Sequence, residues 1–188
     1  MVITIISQNT ADTNTERAYQ KLQQKLPVTP KALAEAPLSQ IEECIKIGGL
    51  WQSKAGAIQN ASKIILEKYG GTLDAVLALP VEEARKAFMG MQGVGPKTAD
   101  VVLLFSAGKA TIPVDTHVNR VSRRLGLAPV VGGYDAVRFG LQSNFKPKDY
   151  LAVHLLLIAL GRQFCKAHKP LCPTCPVNTY CPSNGRIA

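Results

Sequence analysis

This chain of 188 residues lacks several things, and each absence narrows what it can be. No apolar run approaches the roughly 18 to 20 residues that a membrane-spanning helix requires. The longest are Val101–Phe105 and the region around Leu155–Leu160. No long polar or low-complexity segment interrupts the chain, and hydrophobic residues make up 46% of it. That composition supports a packed core and argues against global disorder. The opening "MVITIIS" has neither a basic lead nor a cleavage-like end, so it does not read as a signal peptide. It reads as the middle of a buried helix or strand. Strand signals are sparse, and "KATIPV" is extended but brief. Acidic residues are also few. There are 13 Asp and Glu against 22 Lys and Arg, for a net charge of +9 and a pI near 9.5. Such a balance favours a polyanionic partner, nucleic acid ahead of an anionic membrane.

The pattern that is present is helical periodicity. In Thr13–Leu26 the apolar residues Ala18, Tyr19, Leu22 and Leu26 recur at helical spacing. Pro27 and Pro30 interrupt the chain after it. Leu38–Ile47 repeats the pattern and stops at Gly48-Gly49, and Ser53–Tyr69 stops at Gly70-Gly71 with Ser53 as its expected cap. "TLDAVLAL" and "VEEARKAFMGM" are two short helices separated by Pro80. "PKTADVVLLFSAG", "DTHVNRVSRRLGL", "YDAVRFGLQSNF" and "KDYLAVHLLLIALGRQFC" complete the set. The expectation is an all-α protein of nine or ten helices, in one domain or two small lobes, ending in a Cys-rich loop.

The stretch "GVGPKTADVV", Gly93–Val102, joins two of these helices into a helix-hairpin-helix. Gly93 and Gly95 are expected to permit a positive-φ turn, and Pro96 suits a first helical position. The backbone N–H groups of Gly93, Val94 and Gly95, with the helix start behind them, form an anion site. A DNA phosphate fits it without any readout of sequence; an ordinary helix–helix turn is the alternative. Lys97 then stands just inside a helix N-terminus, where positive charge is disfavoured. The N–H dipoles and an expected partial burial both oppose its charged form, as a nucleophilic amine requires. The alternative is a lysine that only contacts phosphate. Asp115, in "IPVDTHVNRVSRRLGL", precedes a helix and so reads either as an N-cap or as a carboxylate that stabilises a cationic sugar. Arg120, Arg123 and Arg124 continue the basic character; a solvated helix face is their bland reading.

The most specific pattern lies at the end. Cys165, Cys172, Cys175 and Cys181 are spaced C-x6-C-x2-C-x5-C. In a chain with no secretion signal this argues for metal over disulfides, as tetrahedral zinc or as a [4Fe–4S] cluster. His168 is a bystander among four thiolates, and Cys44 reads as a small core residue.

Taken together, "ISQNTAD", "IGGLWQSKA", "GVGPKTADVV", "VDTHVNRV" and the four-cysteine spacing resemble the endonuclease III family of helix-hairpin-helix DNA glycosylases. The resemblance covers essentially the whole chain. It implies two helical lobes, with DNA and active site in the cleft between them. One is a six-helix barrel lobe with the hairpin, expected over residues 1–108; the other, over 109–188, ends in an iron–sulfur loop. It implies a bifunctional enzyme that removes damaged pyrimidines from DNA and nicks the strand by β-elimination. By position, Lys97 is the Schiff-base nucleophile and Asp115 its catalytic carboxylate. Leu50 and Asn9 fill the hole left by the extruded nucleotide, with Gln8 a rival for Asn9. Lys166 and Lys169 face phosphate from a loop ordered by the cluster, whose ligands are the four cysteines. Asn9 stands where Gln is commoner and Gln92 where Pro is commoner. A lysine at 97, where mismatch-specific relatives carry Tyr or Ser, argues against their monofunctional activities. The implied partner is double-stranded DNA with damaged bases or abasic sites, met by a monomer in the cytoplasm, at the nucleoid of a prokaryote. The rival reading is a catalytically inactive iron–sulfur or zinc DNA-binding module.

Overall fold

The computed structural model describes residues 1–185 and divides into two compact units, the first spanning Met1–Leu103 and the second beginning at Leu104. Among the described residues every regular element is helical. The "KATIPV" stretch forms no strand, as the sparse strand signals imply.

The first unit contains α1 (Val2–Ile6), α2 (Asp12–Lys25), α3 (Pro30–Glu35), α4 (Leu38–Ile45), α5 (Trp51–Tyr69), α6 (Asp74–Ala78) and α7 (Val81–Met89). A 3-10 turn, Lys46–Gly48, separates α4 from α5. α5 is the hub: its buried face of Ala55, Ala57, Ile58, Ala61 and Ile65 packs against α1, α3 and α4. The opening residues are helix, with Ile5 and Ile6 fully buried. Cys44 is a core residue, also buried.

Two boundaries differ from the sequence reading. Pro30 does not only interrupt; it opens α3 at the first helical position, with the Thr29 hydroxyl accepting from the Ala32 N–H at 3.3 Å. A proline there loses no helical bond, and a threonine ahead of it caps. α5 begins at Trp51, earlier than a Ser53 cap allows, and its N-cap is Leu50 in a left-handed conformation. Packing of Trp51 and Lys54 against the unit outweighs the capping preference of Ser53.

α8 (Pro96–Ala107) carries the chain across the boundary between the units. α9 (Thr116–Arg124), α10 (Tyr134–Asn144) and α11 (Tyr150–Gln163) come after it, with α9 packed on both α10 and α11. Val114, Val118, Val121, Val137, Leu141 and Leu157 belong to this second core. Gly161 on α11 is required by the closeness of α9, because a Cβ there would lie 2.9 Å from His117. No described helix is long and apolar enough to cross a membrane.

Candidate functional site

The hairpin consists of α7, a turn and α8. Within the turn the Val94 N–H donates to the Met91 carbonyl at 3.1 Å. The Ala99 N–H donates to the Gly95 carbonyl at 3.0 Å, which makes Gly95 the N-cap of α8. Gly93 has φ 78°, and a Cβ there would stand 2.5 Å from the Cβ of Ala57. Conformation and close approach therefore both demand glycine at this position. Gly95 does not adopt a positive φ, contrary to the expectation for it. Nothing lies within 4 Å of a Cβ built on it, so its value is openness: an N-cap with no side chain leaves the first N–H groups of α8 approachable. Val94 is buried and anchors the turn in the core. Lys97 is exposed, and the partial burial expected of it is not found. It follows Pro96 in the first turn of α8, whose inner face is secured by a buried ion pair. There Arg85 Nε donates to Asp100 Oδ1 at 2.8 Å, tying α7 to α8.

Gln8 and Asn9, adjacent in sequence, face different tasks. The Gln8 side-chain amide donates to the Gly93 carbonyl and to Thr98 Oγ1, both at 3.0 Å. Gln8 thus braces the hairpin. Asn9 is exposed, has φ 51°, and its side chain has no hydrogen-bond partner among the described residues. Leu50 is similar in its exposure and its left-handed backbone, with φ 49° and 61% of its surface open to solvent, but unlike asparagine a leucine is strained there. A left-handed conformation costs a residue with a Cβ about 1–2 kcal/mol. An exposed leucine returns none of that to the core. Strain of this kind concentrates at functional sites.

In the second unit Asp115 caps α9, with Oδ1 accepting from the Val118 N–H at 2.7 Å. Its other carboxylate oxygen has no partner among the described residues and remains able to meet a cation. Asp115 borders a recess with Thr116, Asn119, Arg123 and Tyr134. The capping and catalytic readings are therefore compatible, one oxygen serving each.

The three arginines of α9 are not a solvated face. Arg120 donates to the carbonyls of Cys165 (2.9 Å) and Gly161 (3.1 Å). Arg123 clamps the carbonyls of Pro129, Val130 and Gly132. Arg124 donates to the Lys166 and Ala167 carbonyls at 2.7 and 3.1 Å and reaches Cys165 Sγ at 3.4 Å. Alternation of basic residues in sequence carries no sign of this, because nearly every acceptor is a backbone carbonyl of a loop or helix end.

All four cysteines of the terminal motif line one cavity, together with Leu160, Phe164, Pro170 and Val177. Open solvent at its mouth included, the space outside protein atoms is about 370 Å³. Among the described residues no group of three or more His, Cys, Asp or Glu side chains is placed to hold a single metal ion. Four thiols around one apolar-walled cavity are a donor set that can hold zinc or a polynuclear iron–sulfur group. His168 is exposed and does not line it. Lys166 and Lys169 are exposed on the same loop, Lys169 with φ 49°.

Residues 2–147 match the HhH-GPD superfamily of base excision DNA repair proteins. The chain is 35% identical to endonuclease III of Sulfolobus acidocaldarius, over 96% of this chain and 79% of that one. It is also 35% identical to endonuclease III of Bacillus subtilis, over 96% and 78%. Its fold is similar to that of a trapped endonuclease III–DNA covalent intermediate, with a TM-score of 0.85 and 31% identity over 98% of this chain and 83% of that one. The chain belongs to the HhH-GPD superfamily, and within it to the endonuclease III family of DNA glycosylases with AP lyase activity.

Proposed function

We propose that this enzyme removes oxidised or otherwise damaged pyrimidines from double-stranded DNA and cleaves the strand through a Lys97 Schiff base. The observation that carries the reading is Lys97 itself, an exposed amine in the first turn of α8, behind the side-chain-free cap Gly95. Duplex DNA is the partner. The hairpin N–H groups of Gly93 and Gly95 receive a phosphate, while that of Val94, expected to share the task, is committed to the Met91 carbonyl; Lys166 and Lys169 add charge from the cysteine loop.

A base inside a duplex is out of reach, so the nucleotide is turned out at a cost of a few kcal/mol. Leu50 and Asn9 occupy the vacated stack and offset part of that cost. Gln8, committed to Gly93 and Thr98, holds the hairpin instead. The Lys97 amine attacks C1′ while the C1′–N bond to the base breaks. The free oxygen of Asp115 stabilises the positive charge that develops on the sugar. Opening of the sugar ring leaves a protonated imine between Lys97 and C1′. That imine acidifies the C2′ proton; its removal expels the 3′ phosphate by β-elimination, and water then releases Lys97.

The four cysteines fit a [4Fe–4S] cluster, held by Cys165, Cys172, Cys175 and Cys181. Bound there, it would supply order to the loop that carries Lys166 and Lys169, not a step of the reaction. Borohydride reduction of the imine tests the central claim. Wild-type protein mixed with damaged duplex forms a covalent adduct, and Lys97→Gln forms none while still binding DNA. An adduct formed by Lys97→Gln at the wild-type rate would remove Lys97 from the mechanism.

A further inference from the structure

Lys54 lies on α5 one turn beyond Leu50 and is almost wholly buried, at 3% exposure. Its ammonium has no carboxylate partner among the described residues. Instead Nζ donates to the Ile6 carbonyl at 2.8 Å, to Thr10 Oγ1 at 2.6 Å and to the Gly48 carbonyl at 2.8 Å. These use all three ammonium donors. Burial holds its proton affinity below the ordinary lysine value.

The acceptors come from three separate segments: the end of α1, the loop after it, and the 3-10 turn before α5. Thr10 directly follows Asn9, and Gly48 lies just ahead of Leu50. The Thr10 hydroxyl also contacts the Gly48 carbonyl, so the two loops meet at this ammonium. The Lys54 backbone N–H donates to the Leu50 carbonyl at 3.0 Å. Among the described residues, Asn9 and Leu50 are, with Lys169, the non-glycine residues held at positive φ. Two exposed residues in left-handed backbone, on different loops, thus share one buried cation. An apolar side chain would fill the same space without the desolvation cost, but it could not bind three oxygens from a single atom.

We propose that Lys54 is a positioning residue for entry into the duplex: it locks the Asn9 and Leu50 loops in one register, so that both side chains enter the vacated stack together. The proposal rests on the reading of Asn9 and Leu50 as the residues that fill that space.

The test uses the full chain and a duplex carrying a tetrahydrofuran abasic analogue with 2-aminopurine opposite, alongside an undamaged duplex. Insertion unstacks the 2-aminopurine and raises its fluorescence. Lys54→Met should bind undamaged duplex as wild type does. It should lose affinity for the analogue duplex by roughly tenfold, the size of coupling within a shared hydrogen-bond network, together with most of the fluorescence rise. In an Asn9→Ala/Leu50→Ala background, Lys54→Met should add no further loss. Equal weakening on both duplexes with a lowered Tm would mean that Lys54 is merely structural and would overturn the proposal. So would a full fluorescence rise in Lys54→Met where Leu50→Ala has lost it. If Asn9→Ala and Leu50→Ala both keep the rise, the insertion reading itself fails, independently of Lys54. Should Lys54→Met not fold, Thr10→Val removes one acceptor at a partly exposed position. Its expected loss is in the same direction and about threefold; unchanged discrimination by that variant would count against the proposal.

Discussion

The two units hold their functional loops by opposite means. In the first, the loops bearing Gln8, Asn9, Leu50 and Gly93 rest on a continuous core, and polar side chains finish the job: buried Lys54 on three oxygens, half-buried Gln8 on the hairpin, buried Arg85 on Asp100. In the second, no residue from Arg162 through Gly185 is buried. That tail is held by Arg120 and Arg124 gripping its carbonyls from α9, around a cavity lined by thiols. With the proposed cluster bound, the contrast locates where a ligand would matter most for structure. A loop set in a core keeps its geometry alone, whereas a tail without a core borrows order from whatever fills its cavity.

The largest test of this contrast is removal of a thiolate. Cys172→Ser should cost the iron–sulfur group and, by the scale of structural metal sites, on the order of 10 kcal/mol of binding-coupled order. Amide exchange should become fast throughout residues 164–185 while α2 and α5 stay protected. Equal protection of the tail without iron would break the comparison.

Asp115→Asn sharpens it by separating chemistry from support within the second unit. Asn caps about as well as Asp, so the bond to the Val118 N–H and the Tm should persist. Loss of the carboxylate charge should lower single-turnover excision by roughly a hundredfold or more, with DNA affinity held or tightened. Unchanged excision would make Asp115 only a cap. The smallest expected effect is that of Lys169→Ala, since an exposed side chain supports no core. It should leave Tm alone, weaken every duplex about equally, and reduce the salt dependence of binding by about one unit of slope. A salt slope equal to wild type would remove Lys169 from the phosphate contacts.

Much of this organisation is legible in the sequence, for identifiable reasons. Helical periodicity marks α2, α4, α5 and the later helices because their apolar faces recur within a few residues. Gly93 can be read because a G-V-G turn before Pro96 is local chemistry. Gly95 does not share the positive φ of Gly93 that the motif suggests for both; the turn uses one left-handed residue, Gly93, and the Ala57 that leaves no room for a Cβ there comes from across the unit. Lys97 keeps its expected place at the helix start, but its exposure is set by packing that no local pattern encodes. The arginines Arg120 and Arg124 resemble a wet face because their partners lie some 41 to 45 residues away.

The helical class, the hairpin, the cysteine spacing and the family are properties of the chain's order, since each depends on sequence neighbours or on motifs met in succession. Folding in three dimensions alone decides which of Gln8 and Asn9 is free, that Leu50 stands out in a left-handed conformation, and that Lys54 is buried among three carbonyl and hydroxyl oxygens. Gln8 meets Gly93 across 85 residues and Lys54 meets Ile6 across 48. A polar side chain's role is set by where its unpaired donors end, and burial leaves a donor no choice but to find an acceptor wherever the fold has brought one.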